Sequence, residues 1–171
     1  MKPKVYLAGP GVFRRDAIEH GKHLKELCEK HGLIGLYPLD NEINLSRPDA
    51  AQRIYLANLD QIRQADAVIA DISPFRGPHM DPGTAFEIGY ARAKSIPTFL
   101  YSDSDGALAD RITPVHLMAT GEWFDKDGML IENFGLAENL MITPSQAPTH
   151  RVHATAEVAI KAAAEEFGKA S

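Results

Sequence analysis

The sequence predicts a single α/β domain, built on one doubly wound and mainly parallel sheet. Three observations predict it. Short apolar runs alternate with longer segments of helical period. The runs are continuously apolar rather than alternating, as strands covered on both faces are. The chain has 171 residues, a length that suits one domain spanning residues 1–171, and it carries no internal repeat, low-complexity tract or linker.

The elements follow in order. Val5-Tyr6-Leu7-Ala8, stopped by Gly9-Pro10-Gly11, reads as a buried strand. Residues 16–31 place Ile18, Leu24, Leu27 and Cys28 at helical spacing, with Gly32 as the stop. Leu33-Ile34-Gly35-Leu36-Tyr37 is a second strand, ended by Pro38. Pro48-Asp49 opens a second helix carrying Ile54, Leu56, Leu59 and Ile62. Ala67-Val68-Ile69-Ala70 is a third strand, closed by Asp71. A Pro/Gly loop leads into a third helix over 82–94, and Pro97-Thr98-Phe99-Leu100-Tyr101 is a fourth strand. Trp123-Phe124, Met129-Leu130-Ile131 and Leu140-Met141-Ile142 read as short strands. The Ala-rich tail over 154–167 reads as a helix. Helices on both faces of such a sheet make a flavodoxin-like, three-layer α/β/α sandwich.

Composition bounds the function. The chain is 44% apolar and 24% charged, ordinary for a soluble globular protein. A net charge of −5 offers no attraction to a nucleic-acid polymer or an anionic membrane. No segment approaches the ~20 apolar residues of a membrane span, and the N-terminus does not read as a signal peptide, so a cytoplasmic location is expected. Cys28 is the only cysteine. It fits a buried helix position as a small hydrophobe.

Open parallel sheets bind ligands beyond the carboxyl ends of their strands. That makes residues 9–13, 38–41, 71–83 and 102–105 the candidate regions. The most informative stretch is PFRGPHMDPGTAFEIGYA at 74–91. Asp81-Pro82-Gly83 has the form of a helix start, with Asp81 as N-cap and Pro82 in the first turn. Glu87 follows six residues later, among Phe86, Ile88 and Tyr90. A carboxylate there must be desolvated, paired or used. Gly83, Thr84 and Ala91, one turn away, leave room above it. A plainer alternative has Asp81 only capping and Glu87 meeting Arg76 or Arg111. Asn58, beside Leu56, Ala57 and Leu59, reads equally well as a solvent-facing amide.

Other chemistries fit poorly. Gly9 and Gly11 do not complete a dinucleotide fingerprint, because Arg14 stands where the third glycine belongs. The P-loop pattern is missing. His20 and His23 sit one turn apart without a carboxylate-rich cluster, so no metal site is expected. Asp71 ends a strand where a phospho-acceptor could sit, but the loop after the first strand lacks the acidic pair such a module needs.

The motifs VYLAGPGVF at 5–13, YPLDN at 37–41, NLDQIRQADAVIAD at 58–71, the stretch at 74–91 and ENLMI at 138–142 together resemble the nucleoside 2-deoxyribosyltransferases. The resemblance covers most of the chain. It implies base exchange on 2′-deoxynucleosides through a covalent deoxyribosyl-enzyme, with free nucleobases as the second substrate and no cofactor. It implies Glu87 as nucleophile, Asp81 at the sugar hydroxyls and Tyr6 holding the glutamate. Asn58 matches a position near the base that is often aspartate in relatives. An amide cannot be a general acid, which leaves Asp71 or Asp40 for proton transfer. Asn139 and Met141 resemble a segment that completes a neighbouring subunit's site, which implies a homo-oligomer. The substrate-binding candidates are thus Gly9, Phe13, Asp40, Asn58, Asp71, Phe75, Arg76, Gly83, Asn139 and Met141. The loop over 74–82 would act as a lid against water. One alternative is an N-glycoside hydrolase of nucleosides or deoxynucleoside 5′-monophosphates, with Arg14, Arg15 or Arg76 meeting the phosphate. Another is a non-catalytic nucleotide sensor.

Overall fold

The computed structural model describes residues 1–41, 43–114, 116–144 and 151–169. Its strands are β1 (Lys4–Ala8), β2 (Ile34–Leu36), β3 (Ala67–Asp71), β4 (Thr98–Tyr101), β5 (His116–Leu117), β6 (Trp123–Phe124) and β7 (Val152–His153). Its helices are α1 (Ala17–Lys30), α2 (Ala50–Gln64), α3 (Pro82–Ala93) and α4 (Ala156–Lys169). The main sheet has five strands in the order β2-β1-β3-β4-β7, all parallel. This is the doubly wound, flavodoxin-like arrangement.

Strand periodicity divides the core into two layers. Val5, Leu7 and Ile69 point to one face, where Leu24 and Cys28 of α1 meet Ala159, Ile160 and Ala163 of α4. Tyr6, Ala8, Val68 and Ala70 point to the other, against Ile62 of α2 and Ile88 and Ala91 of α3. Each fully buried aliphatic side chain contributes roughly 1.5–3 kcal/mol. Cys28 lies inside the first layer, and burial pushes its thiol up to about 12. An inert buried thiol is the result.

Helix ends follow the expected chemistry. Gly32, at φ +78, ends α1, and its N–H donates to the Glu29 carbonyl at 3.0 Å. The alternating order of strands and helices stands as expected through β4. Three details differ. β7 has only two residues, and its pairing with β4 rather than any local pattern makes it a strand. Leu140-Met141-Ile142 is a turn, because Asn139 Oδ1 accepts from the Met141 N–H and the Asn139 carbonyl accepts from Ile142 and Thr143. Of Met129-Leu130-Ile131, only Leu130 bridges to Phe124, beside the small antiparallel pair β5–β6.

The carboxyl ends of β1 and β3 come very close. A Cβ on Gly9, which has φ +154, would lie 2.7 Å from Asp71 Cβ. Only glycine fits both the angle and the gap. Gly9→Ala should therefore lower stability by about 2 kcal/mol or more. The midpoint of thermal unfolding should fall by roughly 4–8 °C. An unchanged midpoint would mean that the two strand ends part easily.

Candidate active site

The site is organised by the start of α3. Asp81 Oδ2 accepts from the Thr84 N–H at 2.8 Å and the Thr84 hydroxyl at 2.9 Å. Pro82 takes a first-turn position where no amide is needed. The register set there turns Phe86 outward, between Tyr55 and Tyr90 at centroid distances of 6.1 and 6.3 Å. The next residue, Glu87, faces the sheet. Tyr6 Oη, on β1, donates to Glu87 Oε1 at 2.6 Å.

Tyr6 is fully buried. Burial raises its hydroxyl far above the ordinary tyrosine range, and the Glu87 carboxylate adds to this, so it remains a donor. Burial pushes Glu87 up to about 7. The Tyr6 hydrogen bond pulls against that shift, and the negative charge of Asp81 adds to it.

Glu87 and Asp81 open into a cavity of about 420 Å³ at the carboxyl ends of the strands. Gly9, Phe13, Asn58, Gly83 and Thr84 line it too. The rest of its wall is largely apolar, from Val12, Ile18, Leu39, Ile43, Leu45 and Ile54. Polar groups therefore gather at the α3 end and apolar ones opposite. Val12 and Leu39 fall within the candidate regions 9–13 and 38–41, whereas sequence reasoning missed Ile18, Ile43, Leu45 and Ile54. Ile18 was expected in the buried stripe of α1, yet it is 64% exposed and lines the cavity. The buried stripe is Ala17, Gly21, Leu24 and Cys28. Their i, i+4, i+7, i+11 spacing was legible, and Ile18 lies off it.

Six other candidates do not line this cavity. Asp40 is paired with Lys25 Nζ, and its Oδ2 accepts from the Tyr37 N–H at 2.9 Å. Asp71 Oδ1 accepts from the Ser73 N–H at 2.9 Å and from the Ser73 hydroxyl. Burial raises its carboxyl above the usual range, and the Ser73 bonds oppose that shift. Phe75 stacks on Phe13 at 5.3 Å. Arg76, at φ +55, lays its guanidinium 4.5 Å from the Phe75 ring centre and 5.4 Å from that of Phe13. Asn139 Nδ2 donates to Glu132 at 3.0 Å, while exposed Met141 offers its carbonyl to Arg92.

Neither Arg76 nor Arg111 meets Glu87. Arg111 donates instead to the carbonyls of Pro78 and Ala137 at 2.9 and 2.6 Å. The loop over 74–82 is also fastened to Glu138, which is 2% exposed. Glu138 Oε2 accepts from the Met80 N–H at 2.9 Å, and its Oε1 lies 3.0 Å from His79 Nδ1. Among the described residues, no three His, Cys, Asp or Glu side chains are grouped to hold a metal ion. No described helix is long and apolar enough to cross a membrane.

A desolvated carboxylate at the sheet's switch point, in a half-apolar cavity, makes this the candidate site for a small organic molecule. The family model described as nucleoside 2-deoxyribosyltransferase matches residues 5–141. A solved 2-deoxyribosyltransferase from Leishmania mexicana is 32% identical, with a TM-score of 0.77, covering 95% of this chain and 97% of that one. An uncharacterised protein of Schizosaccharomyces pombe is 32% identical over 157 residues, covering 81% of this chain and 74% of that protein. A Thermofilum pendens protein, provisionally named a 2′-deoxynucleoside 5′-phosphate N-hydrolase, is 25% identical over 120 residues, covering 69% of this chain and 77% of that protein. The chain belongs to the nucleoside 2-deoxyribosyltransferase family. Members of that family are enzymes acting on deoxynucleosides.

The raised Glu87 carboxyl has a consequence for stability. Between its ordinary 4.5 and about 7, the folded protein binds more protons than the unfolded chain. Stability therefore falls as pH rises through that window. Glu87→Gln, uncharged throughout, should match the parent at pH 4–5. At pH 8 it should be more stable by about 2–3 kcal/mol in chemical denaturation. Equal stabilities at pH 8 would mean that the carboxylate is well solvated.

Proposed function

We propose that this chain transfers 2-deoxyribose between nucleobases by a two-step displacement at Glu87. The observation that carries the reading is a desolvated carboxylate, held by a buried tyrosine hydroxyl, at the polar end of an apolar cavity. Tyr6 engages Oε1, and Oε2 has no hydrogen bond among the described residues. In the first step Oε2 attacks C1′ of the deoxynucleoside. The C1′–N bond breaks, its electron pair leaves with the base, and a C1′–O ester forms. In the second step a ring nitrogen of the incoming base attacks C1′, the ester bond breaks, and the carboxylate returns. The proton lost by the incoming base balances the one gained by the departing base. Two inversions give net retention.

The residues suit the steps. The transition state is oxocarbenium-like, and a nearby carboxylate stabilises it. A 2-deoxy sugar lacks the electron-withdrawing 2′-hydroxyl that would oppose this charge. Asp81 uses Oδ2 to cap α3, and its Oδ1 is the group assigned to a sugar hydroxyl. Asn139 and Met141, which do not line their own chain's cavity, are assigned to a neighbouring copy's site in a homo-oligomer. Asp40 and Asp71 are each engaged outside the cavity, so neither is assigned proton transfer to the base.

One observation favours hydrolysis of 5′-monophosphates as a second reading. Arg76 stacks on Phe13, which lines the cavity, and makes no ion pair among the described residues. A cation so held at the rim suits a phosphate.

The test is chromatographic, with deoxyinosine or thymidine, with and without adenine, in phosphate-free buffer. Deoxyadenosine should form only when adenine is present, and Glu87→Ala should form none while staying folded. Free base released without exchange would overturn the transferase reading. Tyr6→Phe removes a bond that lowers the Glu87 pKa. Its rate should fall about 10- to 100-fold, and the rising limb of its pH–rate profile should move to higher pH. A limb that stays in place would remove Tyr6 from this role.

A further inference from the structure

Glu138, at 2% exposure, is a buried carboxylate that takes no part in the steps above. Both of its oxygens are engaged. Oε1 lies 3.0 Å from His79 Nδ1 and accepts from the Asn139 N–H at 3.0 Å. Oε2 accepts from the Met80 N–H at 2.9 Å, with the Arg111 guanidinium 3.5 Å away. Buried Thr143 holds the Glu138 backbone in turn. Its hydroxyl donates to the Glu138 carbonyl at 2.7 Å and accepts from the Glu138 N–H at 3.1 Å.

For folding alone, a buried carboxylate is a poor way to hold a loop. Desolvating it is costly, and well-packed apolar side chains of similar volume are often as stabilising. What the carboxylate adds is direction. Its hydrogen bonds are charge-assisted and stronger than neutral ones, and two oxygens fix several donors at once. One of those donors is the amide of Met80, the residue before Asp81. Asp81 is thus held from both sides. Thr84 fixes its Oδ2 from within α3, and Glu138 fixes the residue through which the chain arrives. The extended conformation of Asp81, φ −61 and ψ 128, keeps it a cap only while the chain arrives from that direction. A displacement of about 1 Å at a substrate-positioning group can cost a hundredfold in rate.

From this we infer that Glu138 is a positioning residue for the sugar end of the site: through Met80 it holds Asp81 where its Oδ1 meets a sugar hydroxyl. The inference rests on the role assigned to Asp81 above, but its test reads binding rather than turnover. Calorimetry would use the full chain carrying Glu87→Gln, which blocks turnover. Deoxyinosine is compared with 2′,3′-dideoxyinosine and 2′,5′-dideoxyinosine, each lacking one sugar hydroxyl. Deoxyinosine should bind at least about tenfold more tightly than one of the two. Adding Asp81→Asn should reduce that preference and so identify the hydroxyl. Adding Glu138→Gln instead should reduce the same preference to within about twofold and leave the ratio for the other analogue unchanged. Its amide keeps the size of the side chain but turns an NH2 group toward N–H donors in either orientation. If that variant does not fold, Glu138→Asp replaces it. The shorter acid does not reach the Met80 amide from the same backbone, so the same change is expected.

Several results would overturn the inference. They are ratios unchanged by the Glu138 substitution, affinity lost equally for all three ligands as a general loosening of the fold would cause, equal binding of the three before Glu138 is changed, or no binding of any at millimolar concentration. Exchange assays on the parent separate the two readings. Hydroxyl preference that depends on Glu138 without any base exchange would sink the transferase alone. Exchange with no such dependence would sink the positioning role alone.

Discussion

The hydrogen bond between Tyr6 and Glu87 is the contact on which the rest of the site depends. Its two ends come from the middle of β1 and from the second turn of α3, which packs on the sheet. The 2.6 Å separation persists only while β1 and α3 keep their spacing. Ala8 and Ala70 on the sheet and Ala91 on the helix are small enough to let the two approach, and Ile88 fills the space beside Glu87. Desolvating the carboxylate opposes folding, and the tyrosine bond offsets only part of that penalty. The remainder is met by the apolar packing of the same layer. The reactivity of the acid and the density of the core beneath it are therefore one problem.

The sheet topology decides where this pair meets a substrate. Beyond β1 the chain crosses to α1 on one face, while β3 feeds the loop that leads to α3 on the other. The divergence opens a cleft between them. Gly9 lets the two strand ends approach and so sets the floor of that cleft. The first residues of α1 and the exposed side of α2 then supply Ile18 and Ile54 as a wall. An apolar ring suits that wall, and a polar, hydroxyl-bearing group suits the α3 end.

Much of this was legible in the sequence, for identifiable reasons. The central strands are continuous apolar runs, so burial on both faces could be read directly. Asp81-Pro82-Gly83 announced a cap that the structure bears out, and Glu87 stood out as an acid inside an apolar segment. What stayed hidden depends on contacts between distant elements. β7 is a strand only because Leu100 and Tyr101 pair with it. The Leu140-Met141-Ile142 triplet is apolar like a strand, yet the Asn139 side chain bends it into a turn. Asp40 follows a strand, as a site acid would, but Lys25 on α1 and the Tyr37 amide engage it. Local pattern could not name the partner of Glu87; only the family resemblance did so.

The loop over 74–82 corrects a simple picture of a free lid. Its second half is held by a buried carboxylate from far along the chain. Glu138 binds the Met80 amide and lies against His79, and Arg111 grips the Pro78 carbonyl. These bonds fix the residue immediately before Asp81, and so the entry of the chain into α3. The first half is tied as well: the Phe75 N–H donates to the His79 carbonyl at 2.8 Å, and Arg76 and Gly77, at φ +55 and +157, turn the chain between them. The segment around Glu138 thus holds the residues that lead into Asp81 without lining the cavity itself.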